Sequence, residues 1–358
     1  MTPPVPILVD LQRLKTKIRR WSGELGFDGL GISDTEISAA EQYLFSWLKG
    51  GCHGEMDYLA RHNTRRSRPA ELIPGTIRVI SVRMNYWCAT ASPAAAVLSN
   101  PEAAYISRYA LGRDYHKLMR RKLQQLADRI TSEVEGFQFR AFVDSAPVME
   151  KPLGVKSGLG WMGKHTNLIN RDTGSWFFLG ELYTDLPLPF DMPQKDNCGS
   201  CTRCIAACPT NAITAPYELD ARLCISYLTI EHKGTVPEHL RTLIGNRIFG
   251  CDDCQLVCPW NRDAAQTHLN DFAPRHSLDA STLIELFQWN KREFDRKTVG
   301  SPIRRAGYEC WLRNLAIALG NAPTSKPVTD ALLLRLAHPS ALVREHTTWA
   351  LQKHGVLI

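Results

Sequence analysis

The stretch C-G-S-C-T-R-C-I-A-A-C-P at residues 198–209, answered by C-D-D-C-Q-L-V-C-P at 251–259, organises the reading of this chain. Eight of its 11 cysteines lie between Cys198 and Cys258, with Cys52, Cys88 and Cys310 scattered outside. Even scatter would have marked ordinary core residues. The first run spaces Cys198, Cys201, Cys204 and Cys208 by two, two and three residues and closes on Pro209, the arrangement that holds cubic iron–sulfur clusters. The second run offers Cys251, Cys254 and Cys258 before Pro259 and is one cysteine short; Cys224, isolated between the runs, supplies the eighth thiolate. The last cysteine of such a run ligates the other cluster of a pair. One [4Fe–4S] site is therefore expected on Cys198, Cys201, Cys204 and Cys258, and the second on Cys208, Cys224, Cys251 and Cys254. Disulfides need an oxidising compartment, for which no targeting signal speaks, and zinc sites rarely use this spacing followed by proline.

On the N-terminal side the pattern is mixed. Leu11, Leu14, Ile18, Trp21 and Leu25 recur at steps of three and four and predict an amphipathic helix over 10–25; another is expected over 39–49, and a third over 114–134 with Met119, Leu123, Leu126 and Ile130 on one side. Strands are expected over 27–33, 76–82, 138–144, where Asp144 ends the run, and 176–183. Strands interspersed with long helices give an α/β or α+β domain too short for a complete barrel. No G-x-G-x-x-G opens a βαβ unit and no phosphate-binding G-x-x-x-x-G-K-[ST] occurs, so nucleotide cofactors have no support. Gly154, Gly158, Gly160 and Gly163, with Lys156 and Lys164 among them, make either a structural turn or a place where backbone approaches a large ligand. Asp144 either caps the next element or belongs to a site, and the basic stretch Arg61, Arg65, Arg66, Arg68 is either a solvated loop or an anion contact.

Beyond Pro259 the chain reads as helical. Ile303-Arg304 aligns with Val343-Arg344 at a shift of 40, within the period of HEAT-like repeats, and Arg304, Arg305, Arg313, Arg335 and Arg344 are either phosphate contacts or an ordinary charged face. With 44% hydrophobic and 22% charged residues the composition is that of a globular protein, and no run approaches a membrane span. No basic-then-apolar leader opens the sequence. The formal net charge of +7 permits a nucleic-acid partner without demanding one.

Taken in order, R-Y-A-L-G-R-D-Y-H-K at 108–117, V-D-S-A-P-V-M-E-K at 143–151, G-L-G-W-M-G-K at 158–164, the two cysteine runs and the helical tail resemble the epoxyqueuosine reductase family over nearly the whole chain. The resemblance implies an α+β fold in three parts: a nitroreductase-like and reductive-dehalogenase-like cobalamin-binding catalytic domain (1–190), a bacterial ferredoxin-like double [4Fe–4S] module (191–265) and a HEAT-like tRNA-docking tail (266–358). It implies a monomeric, cytoplasmic enzyme with no membrane attachment, acting on epoxyqueuosine in the anticodon loop of tRNA and fed by a low-potential electron donor. Removing the epoxide oxygen takes two electrons and two protons and releases water. Asp144 matches the family's proposed proton donor, a role that requires its pKa to be raised.

The D-x-H-x-x-G signature of enzymes that place a histidine under cobalt is absent, because Asp114-Tyr115-His116 is followed at 119 by Met119. Base-off cobalamin is therefore expected, with Tyr109, Arg113, Tyr115, His116, Lys117, Lys156, Ser157, Gly158, Gly160, Trp161, Gly163 and Lys164 as candidate contacts. Three alternatives are distinguishable: a corrinoid reductive dehalogenase, a non-catalytic electron-transfer protein, and a zinc-dependent RNA-binding module.

Overall fold

The computed structural model describes residues 10–357; residues 1–9, part of the stretch read above for a leader, lie outside them. Among the described residues the strands are β1 (Gly29–Ser33), β2 (Arg78–Asn85), β3 (Tyr105–Ile106), β4 (Phe139–Phe142), β5 (Trp161–Met162), β6 (Leu168–Ile169), β7 (Phe177–Thr184) and β8 (Arg247–Phe249). The four long runs expected from the sequence form one antiparallel sheet in the order β1-β2-β7-β4. Antiparallel pairing with helices laid on the sheet makes the domain α+β.

Every residue of β7 is buried, because both faces of this inner strand are covered. Phe178 and Leu182 point into a core shared with Leu14 and Ile18 of helix Leu11–Glu24 and with Met119, Leu123, Leu126 and Ile130 of helix Tyr115–Thr131. These are the two apolar stripes anticipated from their spacing. Gly180 lies on the same face, where an added Cβ would stand 3.0 Å from Leu123 and 3.1 Å from Met119, so the missing side chain lets the helix close on the sheet. The opposite face carries Leu179, Glu181 and Tyr183, against which the short helix Glu150–Lys156 packs. Aspartates start both long helices. Asp10 accepts from the backbone N–H of Gln12 and Arg13, and Asp114 accepts from that of His116, each satisfying donors that the first helical turn leaves free.

A second core crosses the sequence. It joins Ala104–Leu111, the segment from Ala221 to Phe249 that flanks the cysteine runs, and the C-terminal helices. β3 pairs in parallel with β8, and helix Tyr308–Asn321 lies at the centre, packed against helix Ala341–Lys353. Arg313 on that central helix is 0% exposed and donates to the carbonyls of Leu228, His232 and Gly234. Its neighbour Asn314 donates to those of Thr229 and Ile248.

The helical tail is thus observed, whereas the expected internal repeat is not matched element by element. Ile303 and Arg304 occupy a 3-10 turn, Pro302–Arg305, capped by Ser301 and stopped by Gly307 at φ 83°; Val343 and Arg344 lie within helix Ala341–Lys353. Among the described residues no helix is long and apolar enough to cross a membrane.

Candidate active site

The end of β4 and the start of helix Tyr115–Thr131 meet at a large cavity of about 1120 Å³. Asp144, two residues past β4, lines it, with 35% of its side chain exposed. The Tyr115 hydroxyl donates to Asp144 Oδ2, and His116 Nε2 lies 2.9 Å from Asp144 Oδ1. On its other side His116 Nδ1 lies 2.5 Å from Asp114 Oδ1, the same oxygen that caps the helix. Tyr115 is itself fixed by stacking on Phe178 of β7, ring centroids 3.7 Å apart. The cap, the helix and the sheet therefore hold one Tyr–His–Asp cluster rigidly.

The charges in this cluster run opposite to the sequence expectation. Burial would raise Asp144, but the hydrogen bond and charge of His116, with Tyr115 and Arg305 behind them, hold its carboxyl below the usual carboxylate range. Burial opposes charge on His116 as well, yet the hydrogen bonds and charges of Asp114 and Asp144 outweigh it and lift the imidazole to about 9. At neutral pH the proton sits on His116 and Asp144 is ionised, not protonated. A neutral carboxylic acid does exist in the same wall. Burial, followed by the negative charge of Asp144, pushes Glu150 up to about 8, against the pull of Lys151 and His116. Behind it Glu181 is raised further, by burial and then by Glu150 and Asp144, and neither of its oxygens has a hydrogen-bond partner. Glu150, Lys151 and Glu181 were missed as site residues, although the first two stand in the quoted V-D-S-A-P-V-M-E-K.

The same cavity opens onto Cys224 and Cys251. Cys224, Cys251 and Cys254 are half-buried, and desolvation is the main cause that raises each thiol. Cys224 lies close enough to Cys208, Cys251 and Cys254 for their charges to disfavour one another. The loop between Cys251 and Cys254 is anchored by Asp252, which accepts from Tyr105 (2.7 Å), Ser107 (2.6 Å) and the Arg108 N–H (2.8 Å). A separate cavity of about 240 Å³ is walled by Cys198, Cys201, Cys204 and Cys258. Cys198, Cys201, Cys204 and Cys258 thus line one cavity and Cys224 and Cys251 another, and thiol donors are the chemistry that cubic clusters take.

The candidate cobalamin contacts divide. Tyr109, Tyr115, His116 and Lys117 line the large cavity. Arg113 does not: it points outward, 70% exposed, and reaches only Asp271 at 3.8 Å. The 156–164 segment is also elsewhere, because helix Glu150–Lys156 puts Glu150 at the cavity and carries the chain roughly 10 Å away over its length. Lys156 pairs with Asp34 at 2.5 Å, and Ser157 bonds back to the Gly154 carbonyl. The glycines close on the protein's own backbone: a Cβ on Gly158 would meet the Met192 carbonyl at 2.5 Å, and one on Gly160 that of Ile169 at 2.1 Å. Trp161 packs with Cys258 and Trp260, Gly163 against Ile169 and His165, and Lys164 donates to the carbonyls of Gly199 and Cys201. This turn walls the smaller, cysteine-lined cavity.

Residues 66–145 match the family described as "Epoxyqueuosine reductase QueG, DUF1730", and residues 197–261 match the "4Fe-4S double cluster binding domain". The chain is 59% identical to the epoxyqueuosine reductase of Pseudomonas aeruginosa, over 99% of this chain and 97% of that protein. The chain belongs to the epoxyqueuosine reductase family. It is 55% identical to the Escherichia coli epoxyqueuosine reductase, over 96% and 90% of the two chains. Among solved structures, an epoxyqueuosine reductase crystallised with an epoxyqueuosine-modified tRNA stem loop superposes with a TM-score of 0.88 at 27% identity, covering 97% of this chain and 92% of that one. The epoxyqueuosine reductase of Streptococcus thermophilus gives 0.85 at 25% identity, covering 95% and 90%. The double-cluster domain match covers both cysteine runs.

Proposed function

We propose that this chain reduces the epoxide of epoxyqueuosine at the wobble position of tRNA to the alkene of queuosine. The observation that carries the proposal is the single large cavity onto which Asp144, His116 and Tyr115 open from one wall and Cys224 and Cys251 from another. Electrons from the cluster assigned to Cys208, Cys224, Cys251 and Cys254, and protons from the His116–Asp144 pair, reach the same space. The reaction consumes two of each: the carbon–oxygen bonds of the epoxide break, the alkene forms, and oxygen leaves as water.

Cobalamin fits the residues present. At about 1120 Å³ the cavity exceeds the ~300–1,000 Å³ usual for a small ligand, and Tyr86, Phe177, Phe178, Leu168 and Leu179 give it aromatic and apolar walls. Bound there, cobalamin would supply a cobalt centre reducible to a strongly nucleophilic state, while the protein supplies orientation and protons. Tyr109 and Lys117 are the contacts we assign among the sequence candidates. His116 is not a cobalt ligand in this reading, since both ring nitrogens are engaged by carboxylates; this agrees with base-off binding. Asp144 is the group that hands the proton to the opening epoxide, drawing it from His116, and Tyr115 fixes its second oxygen.

Arg304, Arg305, Lys117 and His62 border the cavity and are exposed, positioned to meet the phosphates of an anticodon loop whose base is unstacked into the site. Of the other arginines put forward, Arg313 is buried and structural, Arg66 is turned inward onto the carbonyls of Tyr58 and Leu59, and Arg335 binds those of Phe287 and Trp289. The test is anaerobic reconstitution with iron, sulfide and cobalamin, followed by reaction of epoxyqueuosine-containing tRNA with a low-potential reductant and mass analysis of the nucleosides. Loss of one oxygen that depends on cobalamin is expected. No conversion by protein carrying both clusters and cobalamin would refute the substrate assignment, and turnover of an organohalide instead would favour a dehalogenase.

A further inference from the structure

The 154–164 loop was expected to contact cobalamin; its last residue, Lys164, and the next, His165, line instead the small cavity walled by four cysteines, and one side chain there has a nitrogen with no hydrogen-bond partner. His165 is 3% exposed and lines the small cavity together with Cys198, Cys201, Cys204 and Cys258. Its Nδ1 accepts the backbone N–H of Asn167 at 3.2 Å, which assigns the ring proton to Nε2. That Nε2 is buried and makes no hydrogen bond. A buried N–H without an acceptor is costly, and here the space beside it is the space between four thiols.

We propose that His165 Nε2–H is a hydrogen-bond donor to the iron–sulfur cluster held by Cys198, Cys201, Cys204 and Cys258, and that it raises the potential of that cluster. The inference rests on the double-cluster reading given above. The surrounding residues are arranged to hold the ring in place. A Cβ on Gly163 would strike His165 Cε1 at 2.8 Å and Ile169 Cδ1 at 2.6 Å, so only glycine leaves room for the imidazole. Thr166 takes a left-handed φ of 64° to bring Asn167 back beneath it, and Lys164 ties the turn to the ligand loop through Gly199 and Cys201. With Nδ1 already an acceptor, the neutral ring has its one donor at Nε2. The indole of Trp161, 1% exposed, packs alongside in the same cluster as Cys258. Reduction adds negative charge to a cluster, and N–H groups aimed at its sulfurs stabilise the reduced form, which moves the potential upward.

The experiment is an EPR-monitored redox titration of the full-length protein with both clusters assembled. In His165→Leu one cluster should lose about tenfold in its reduced-to-oxidised ratio at fixed potential, about 59 mV downward for a one-electron couple, while the other cluster keeps its midpoint. His165→Gln, which retains an N–H of similar reach, should recover most of the loss. Unchanged midpoints in His165→Leu at full iron content overturn the proposal. Absence of clusters from the unmutated protein fails the double-cluster reading instead, and iron and sulfide analysis separates the two failures. Should His165→Leu not take up iron, nitrogen-15 histidine in the reduced, unmutated protein decides: coupling of a histidine nitrogen to a cluster spin supports the assignment, and its absence overturns it.

Discussion

Asp114→Asn separates the charge on His116 from everything else that Asp114 does. Asparagine caps a helix about as well as aspartate, so the start of helix Tyr115–Thr131 should survive, while one of the two carboxylates flanking His116 loses its charge. The two together lift His116 from 6.5 to about 9, a change of ~3 kcal/mol before allowance for solvent in the cavity. With His116 17% exposed and its nitrogens 2.5 and 2.9 Å from the two carboxylates, removing one should forfeit roughly one pKa unit, ~1.4 kcal/mol. Because the folded pKa is raised, the pair's contribution to stability is complete below pH 6.5 and is lost as pH rises through about 9. Turnover should follow the same group. Initial rates of oxygen loss, measured from pH 6 to 10 with saturating tRNA and excess reductant, should fall on the basic side near 9 in the unmutated enzyme and about one unit lower in Asp114→Asn. Coincident basic limbs, or a limb near 6.5 in the unmutated enzyme, would refute the view that His116 stores the proton.

Glu150→Gln should raise Tm by a margin that grows between pH 5 and about 8 and is level above. The raised pKa of Glu150 means that ionising it costs the folded state progressively over that interval; equal Tm shifts at pH 5 and 9 would contradict this. Cys258→Ala should cost the same cluster as Cys198→Ala, and Cys224→Ala the other, each leaving about half the iron and a distinct residual EPR signal; identical residual signals in all three variants would overturn the pairing. Replacing Arg304 and Arg305 together by Gln should weaken tRNA binding and flatten its salt dependence by roughly 1.5 in log–log slope, with the clusters intact. By contrast, Arg313→Ala should destabilise the protein at any salt concentration, which thermal melts would show.

The sheet and its two long helices were legible because their apolar periodicity is strong and local. The elements expected at 10–25, 76–82 and 114–134 appear as Leu11–Glu24, Arg78–Asn85 and Tyr115–Thr131, with Asp10 and Asp114 marking where helix begins. The double-cluster domain was legible from cysteine spacing alone, and residues 197–261 match it. What was hidden depends on three-dimensional neighbours. The lowered pKa of Asp144 arises against burial from His116 and Tyr115, 28 and 29 residues away in sequence, so the raised carboxyl that sequence reasoning called for gives way to an ion pair. The glycine-rich turn was read as either structural or an approach of backbone to a large ligand and then assigned to cobalamin, because spacing does not say what is approached; the glycines close on the carbonyls of Met192 and, in β6, Ile169. Arg313 looked like the other tail arginines because sequence does not distinguish a charge facing water from one that clamps three carbonyls.

The core that joins Ala104–Leu111 to the C-terminal helices sets an order of events during synthesis. All eight cysteines have been made by Cys258, yet the wall that closes behind Thr229 and Ile248 waits for Asn314, and Ala350 and Leu351 of the same core follow later still. At roughly 5–20 residues per second the ~56 residues from Cys258 to Asn314 take on the order of 3–11 s. For that interval the nascent chain presents its thiols in an incomplete shell, open to whatever machinery delivers iron and sulfide and equally open to oxidants. Helix Tyr308–Asn321 then seals the compartment from behind.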